Sequence, residues 1–88
     1  MTIPERRQFE RLTIAEDAIA YREDGGKLGR VTAVSGGGMT IRLADESVIF
    51  TPGSRFVVRV VEPVGDIEHM VPVIVVYMQA GSLGLEFV

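Results

Sequence analysis

The sequence of 88 residues predicts an all-β fold, a small six-stranded antiparallel barrel. Two observations predict it. β-branched and apolar residues come in short runs separated by Gly, Pro and Asp, and helical periodicity is nearly absent after residue 11. Six short strands favour a closed barrel, because closure pairs edge groups that an open sheet leaves exposed. We expect one domain over residues 1–88, with an N-terminal arm at 1–11 and the barrel at 17–88.

The first three predicted strands follow one another through two turns. The run Ala18–Arg22 is followed by Glu23–Gly26, in which an Asp-Gly pair tolerates the positive φ of a tight hairpin. The segment Lys27–Val34 should therefore return antiparallel to it. Ser35–Gly38 then interrupts the pattern, and Met39–Leu43 is the third strand.

The second half of the chain supplies three more predicted strands. Arg55–Glu62 carries the strongest β pattern, and we expect a loop at Pro63–Met70 because Gly and Asp lie within it. The single histidine, His69, falls in this loop and is expected to be a surface residue without a role. Val71–Met78 and Leu83–Val88 complete the six strands.

Composition excludes several classes of function. The chain has no cysteine and one histidine, so thiolate and histidine-rich metal sites are excluded, and no nucleophile and base pair suggests an enzyme. The balance of 12 acidic against 9 basic residues, a net charge of -3, argues against binding long nucleic acids. A barrel that binds single strands would also need interleaved aromatic residues.

The longest apolar run is too short to span a bilayer and contains a proline. The N-terminal residues have no apolar run behind their charges, so they do not form a signal peptide. We therefore expect no membrane insertion and a cytoplasmic location.

Three of the eight arginines lie at positions 6, 7 and 11, in a chain with a single lysine. Guanidinium groups suit a planar ligand edge, a phosphate or an aromatic face better than ammonium groups do. The cluster Arg6, Arg7 and Arg11 therefore indicates recognition of a small anionic ligand. The alternative is a solvated arm in which Glu5 and Glu10 form weak local ion pairs.

The glycine segment Ser35-Gly36-Gly37-Gly38 is the second candidate binding element. Glycines let backbone N–H groups approach a ligand closely, and Ser35 adds a hydroxyl group. The alternative is a loose turn or a bulge without a binding role.

These two elements resemble the two signatures of the PilZ domain. The family pattern Arg-Arg, three free positions, Arg is met by Arg6, Arg7 and Arg11. The second pattern is Asp or Asn, a free position, Ser, two free positions, Gly; Ser35 and Gly38 match it, and Ala33 replaces its first residue. The resemblance covers essentially the whole chain, and we expect a barrel without the long C-terminal helix that many PilZ domains carry.

The resemblance implies a split barrel that serves as a receptor for cyclic di-GMP, with no other cofactor. Ala33 cannot make the polar contact of the family's Asp or Asn, which costs about 0.5–3 kcal/mol, or about twofold to a hundredfold in affinity. Binding would order residues 1–11 and change a surface that a partner protein reads. The ligand-binding residues implied are Arg6, Arg7, Arg11, Ser35, Gly36, Gly37 and Gly38.

One alternative stays open, a degenerate PilZ module that binds no nucleotide. It would act as a protein-interaction adaptor in motility, pilus or surface-attachment machinery. Its contact surface would be an apolar patch near Val57, Val61 or the final strand. The second face of the Arg55–Glu62 strand is partly apolar. Besides a partner protein, a second copy of this chain would fit against that face, which would form a homodimer.

Overall fold

A computed structural model describes residues 17–64 and 67–88 of the chain. Each strand pairs antiparallel with two neighbours in the order β1-β2-β3-β6-β5-β4, and pairing of β1 with β4 closes the barrel. None of the described residues lies in a helix, and the predicted six-stranded antiparallel barrel is confirmed. The strands are β1 (Ile19–Arg22), β2 (Lys27–Val34), β3 (Gly38–Leu43), β4 (Arg55–Val61), β5 (Glu68–Gln79) and β6 (Ser82–Phe87).

The core follows from the alternation of side chains along each strand. Alternate residues point to the same face of a strand, so Val71, Val73 and Val75 of β5 all enter the barrel. Burying one such side chain contributes about 1.5–3 kcal/mol. Among the described residues no polar or charged side chain is buried. The core consists of Ala18, Ala20, Leu28, Val31, Met39, Ile41, Leu43, Val58, Val60, Val71, Val73, Val75, Leu83 and Leu85.

The turn between β1 and β2 uses the Asp-Gly pair as the sequence predicts. Gly25 has a φ of 98°, a conformation that L side chains rarely adopt. The Gly26 N–H donates to Asp24 Oδ1 at 2.9 Å, and the Arg22 N–H donates to the Gly26 carbonyl oxygen at 2.7 Å. The side chain of Asp24 thus stabilises the turn from within.

The start of β5 differs from the prediction. Strand β5 begins at Glu68, so Glu68, His69 and Met70 belong to a strand and the predicted loop at Pro63–Met70 is wrong over those residues. Polar contacts to β4 and to the residue after it stabilise this end. Arg59 donates to Glu68 at 3.2 Å, and His69 Nε2 lies 2.6 Å from Glu62 Oε2.

The expected surface position of His69 also needs correction. Its side chain is only 19% exposed and that of Glu62 only 16%, so the pair is largely shielded from water. An apolar pattern could not predict this pairing, because the two partners are polar and come from opposite sides of a loop. His69 therefore fixes the junction between β4 and β5.

Candidate functional site

The segment Ser35–Gly38 forms the turn of the hairpin between β2 and β3. The Ser35 N–H donates to the Gly38 carbonyl oxygen at 2.8 Å, and Ser35 Oγ lies 3.4 Å from that oxygen. The Phe87 N–H donates to the Gly37 carbonyl oxygen at 2.8 Å, which attaches the turn to β6. The segment is therefore a tight hairpin turn held at both of its ends.

The glycines of this turn differ in what the fold requires of them. A Cβ atom at Gly38 would overlap the carbonyl oxygen of Leu85, so only glycine allows β3 and β6 to approach this closely. A Cβ atom at Gly36 or Gly37 would meet nothing within 4 Å. Packing thus explains Gly38 and leaves Gly36 and Gly37 without a structural requirement for glycine.

A row of four residues crosses the outer surface beside this turn. Ala33 of β2 pairs with Thr40 of β3, Thr40 pairs with Gly84 of β6, and Gly84 pairs with Tyr77 of β5. A Cβ atom at Gly84 would overlap the Tyr77 ring, so the ring lies across the β6 backbone. Tyr77 remains 43% exposed. One aromatic face therefore stands opposite Ala33 on the same surface.

The row forms the floor of an open groove of about 360 Å³. We call it the outer groove, and its lining includes Ala33, Ser35, Gly38, Thr40, Tyr77 and Glu86. These residues offer hydroxyl groups, an aromatic ring and a glycine backbone. Such a combination can hydrogen-bond and stack on a small planar ligand.

Two β-bulges lie at this row. One falls between Val31 and Ala33 in β2, and the other between Val75 and Tyr77 in β5. A bulge adds a residue to one strand and redirects the side chains around it. The added residues, Thr32 and Val76, are exposed like the residues that follow them. The bulges thus keep Ala33 and Tyr77 on the outer surface, where both line the groove.

Charges of both signs surround the groove. Glu86 is exposed and lines it, which disfavours an anion at that end. At the other end Arg30 and Arg42 form the next outward-facing pair of β2 and β3, and both are exposed. A negative charge therefore lies at one end of the groove, and two positive charges lie one outward position beyond its other end.

The structure brings several predicted site residues together. Ala33, Ser35, Gly37 and Gly38 all line the outer groove, whereas Gly36 lies in the turn and does not line it. Arg6, Arg7 and Arg11 belong to residues 1–16, outside the described residues. The predicted arm and its binding role therefore stay predictions.

Sequence reasoning did not identify Thr40, Tyr77 or Glu86 as site residues. They lie in strands that reach the groove only through pairing across the barrel. One local signal existed for Tyr77, since Gly84 within a strand marks a place where another group approaches the backbone closely. Without the register, nothing connected that glycine to an aromatic residue on β5.

The described residues contain no helix long and apolar enough to cross a membrane. Within the same ranges, no three His, Asp or Glu side chains come together in a group that could hold a metal ion.

Comparison with known families gives one match. The family model described as the PilZ domain matches residues 5–88, nearly the whole chain. The matched range includes the three N-terminal arginines and every strand of the barrel. A search of curated proteins finds no match to this sequence.

Proposed function

Because this chain belongs to the PilZ domain family, a family of cyclic di-GMP receptors that bind ligand and protein partners, we propose that it binds cyclic di-GMP in the outer groove. Binding then signals to a partner protein in the cytoplasm, in motility or biofilm formation. The observation that carries the proposal is the groove itself, in which Ser35 and Gly38 of the second family pattern line one cavity with Tyr77.

The chemistry of the groove supports a purine nucleotide. The exposed ring of Tyr77 provides a face for stacking, and base stacking on an aromatic ring contributes about 1–3 kcal/mol. Ser35 and Thr40 supply hydroxyl groups that donate to phosphate or base oxygens. Gly37 lines the groove, and its backbone is open to close approach because a Cβ atom there would meet nothing within 4 Å.

Arg6, Arg7 and Arg11 provide the charge and the base recognition in this proposal. A guanidinium group donates to O6 and N7 of guanine together, and it also pairs with phosphate oxygens. In the bound state these arginines bring residues 1–11 onto the outer groove. A partner protein then distinguishes bound from free domain, since only bound ligand favours that arrangement.

A second function is favoured by Ala33 and Glu86. Ala33 offers no hydrogen bond, and the Glu86 carboxylate opposes a phosphate in the same groove. A domain that has these two side chains and binds no nucleotide would act as a protein-interaction adaptor in motility or surface-attachment machinery. Exposed Met70 and Val76 would contribute to its contact surface.

Calorimetric titration with cyclic di-GMP tests the proposal, with GTP and cyclic AMP as control ligands. We expect saturable binding of cyclic di-GMP alone, and Arg7→Ala should weaken it at least tenfold because a charge-assisted contact contributes about 1.5–3 kcal/mol. Arg22→Ala is the matched control, since Arg22 is exposed and does not line the outer groove. Absence of binding by the unmodified chain would leave the adaptor function.

A further inference from the structure

Two arginines face each other directly across neighbouring strands. Arg30 of β2 is the register partner of Arg42 of β3, and both side chains are exposed on the outer surface. Like charges placed opposite each other destabilise a sheet, so this pair opposes folding unless an anion lies between or above the two groups. The pair is unusual in a chain with a net charge of -3.

Within residues 17–64 and 67–88, little neutralises this pair. Arg30 Nη1 lies 3.8 Å from Asp17 Oδ1, but the two side chains are 58% and 73% exposed, so their ion pair contributes little. Arg42 forms no ion pair with any described residue. Lys27, Arg30 and Arg42 line a second cavity of about 290 Å³, separate from the outer groove, and Lys27 adds a third positive charge there.

By contrast, Arg59 has partners on both sides. It donates to Glu68 at 3.2 Å, and its guanidinium carbon lies 4.7 Å from the centre of the Tyr21 ring. The fold therefore satisfies one outward-facing arginine fully while it leaves Arg42 available to a ligand.

The arginine pair adjoins the outer groove. Thr40 and Arg42 are consecutive outward-facing residues of β3. Arg42 therefore lies one outward position beyond Thr40, which lines the groove. Two residues of a strand span about 7 Å. Arg42 also pairs with Ser82 of β6, whose next outward neighbour is Gly84 at the groove floor. The backbone positions of Arg30 and Arg42 are thus one outward position from the groove, although neither residue lines it.

The strands hold these two positions rigidly. A Cβ atom at Gly29 would overlap the carbonyl oxygen of Arg42, so β2 and β3 approach each other closely at the arginine pair. Sites on paired strands keep their geometry better than sites on loops. Both guanidinium groups therefore start from fixed backbone positions on one surface.

We propose that Arg30 and Arg42 form a phosphate-binding site at the end of the outer groove opposite Glu86, and that it takes a phosphodiester group of the bound cyclic dinucleotide. The proposal rests on the proposed function for the identity of the ligand. Guanidinium groups bind phosphate oxygens through two parallel hydrogen bonds, and two of them can hold one phosphate from both sides. This contact compensates for the polar group missing at Ala33.

The test is a titration of Arg42→Gln with cyclic di-GMP. Glutamine keeps a polar, unbranched side chain, shorter than that of arginine, and removes its charge. We expect binding about tenfold to a hundredfold weaker than in the unmodified chain, the size of one charge-assisted contact. Arg30→Gln should act in the same direction. Because Arg42 is exposed and its charge faces that of Arg30, the melting temperature should not fall, which separates lost binding from lost folding.

Arg22→Gln is the matched control, because it removes the same charge from an exposed arginine that lines another cavity, beside Phe50 and Phe56. We expect less than a twofold change for this variant. If Arg42→Gln weakens binding no more than Arg22→Gln does, the dinucleotide contact at Arg42 is overturned, while the proposed function stands.

A second measurement separates failure of the site from failure of the proposed function. Inorganic pyrophosphate is titrated into the unmodified chain, and amide chemical shifts are followed by NMR. Shifts centred on Arg30 and Arg42, in a chain that does not bind cyclic di-GMP, would overturn the proposed function and support a site for free phosphate. Without such shifts and without nucleotide binding, both proposals fail.

Discussion

Ala33 presents a methyl group to the outer groove where the PilZ pattern has a polar side chain. We expect Ala33→Asn to tighten binding of cyclic di-GMP about twofold to a hundredfold, because it restores one hydrogen bond to the ligand. Calorimetry measures the change. Thr32→Asn is the control, since Thr32 is an exposed neighbour that does not line the groove. Equal affinity of Ala33→Asn and the unmodified chain would show that position 33 does not contact the nucleotide.

The glycines of the hairpin turn give a second prediction for single residues. Gly38→Ala should lower the free energy of unfolding by about 1–3 kcal/mol, because the added methyl group overlaps the Leu85 carbonyl oxygen. Gly36→Ala should change it by no more than about 1 kcal/mol, because its methyl group meets open space. Urea unfolding measures both variants. Equal effects would mean that β3 and β6 are farther apart than the structure shows.

Among the elements, the turn between β5 and β6 carries avoidable strain. Ala80 has a φ of 50° and Gly81 a φ of 82°, the combination of a type I′ turn in which Asn-Gly is favoured. We expect Ala80→Asn to stabilise the domain by about 0.5–1 kcal/mol, since Asn tolerates the left-handed conformation better than Ala. Thermal unfolding should show a melting temperature several degrees higher. Gly81→Ala is the opposite control and should lower it.

Most elements could be predicted from sequence because their signals are local. The Asp-Gly turn and the apolar run Val71–Met78 depend on neighbouring residues only, and the structure has the turn and a strand over that run. The beginning of strand β5 could not be predicted, because Glu68 and His69 carry no apolar pattern. Their stability comes from Arg59 and Glu62, contacts that exist only after β4 and β5 pair.

The groove shows the same limit at the scale of the whole molecule. Ser35 and Gly38 belong to one local pattern, so their shared position could be predicted. Tyr77 and Glu86 join them only because β3 pairs with β6 and β6 with β5. Such pairings depend on how the barrel closes. The pattern of residues along the chain does not specify which residues of distant strands become partners.

Since the groove exists only in the closed barrel, ligand binding should stabilise the whole fold. Cyclic di-GMP at a hundred times its dissociation constant should add about 2.7 kcal/mol to the free energy of unfolding. For a domain of this size that raises the melting temperature by roughly 10–20 °C. Differential scanning calorimetry measures the shift, with GTP as the control. An unchanged melting temperature at that concentration would contradict binding to the folded barrel.

The paired bulges have a consequence for how such a site can be found. In β2 the inward positions Val31 and Val34 are three apart, and in β5 Val75 and Met78 are three apart, where regular alternation would give two. In both strands the alternation of inward-facing and outward-facing residues thus shifts by one residue, at the same level of the barrel. This shift is visible in the register of the paired strands and not in the sequence, because residues 73–78 are all apolar. In this chain it marks the level at which the groove lies, before any ligand is known.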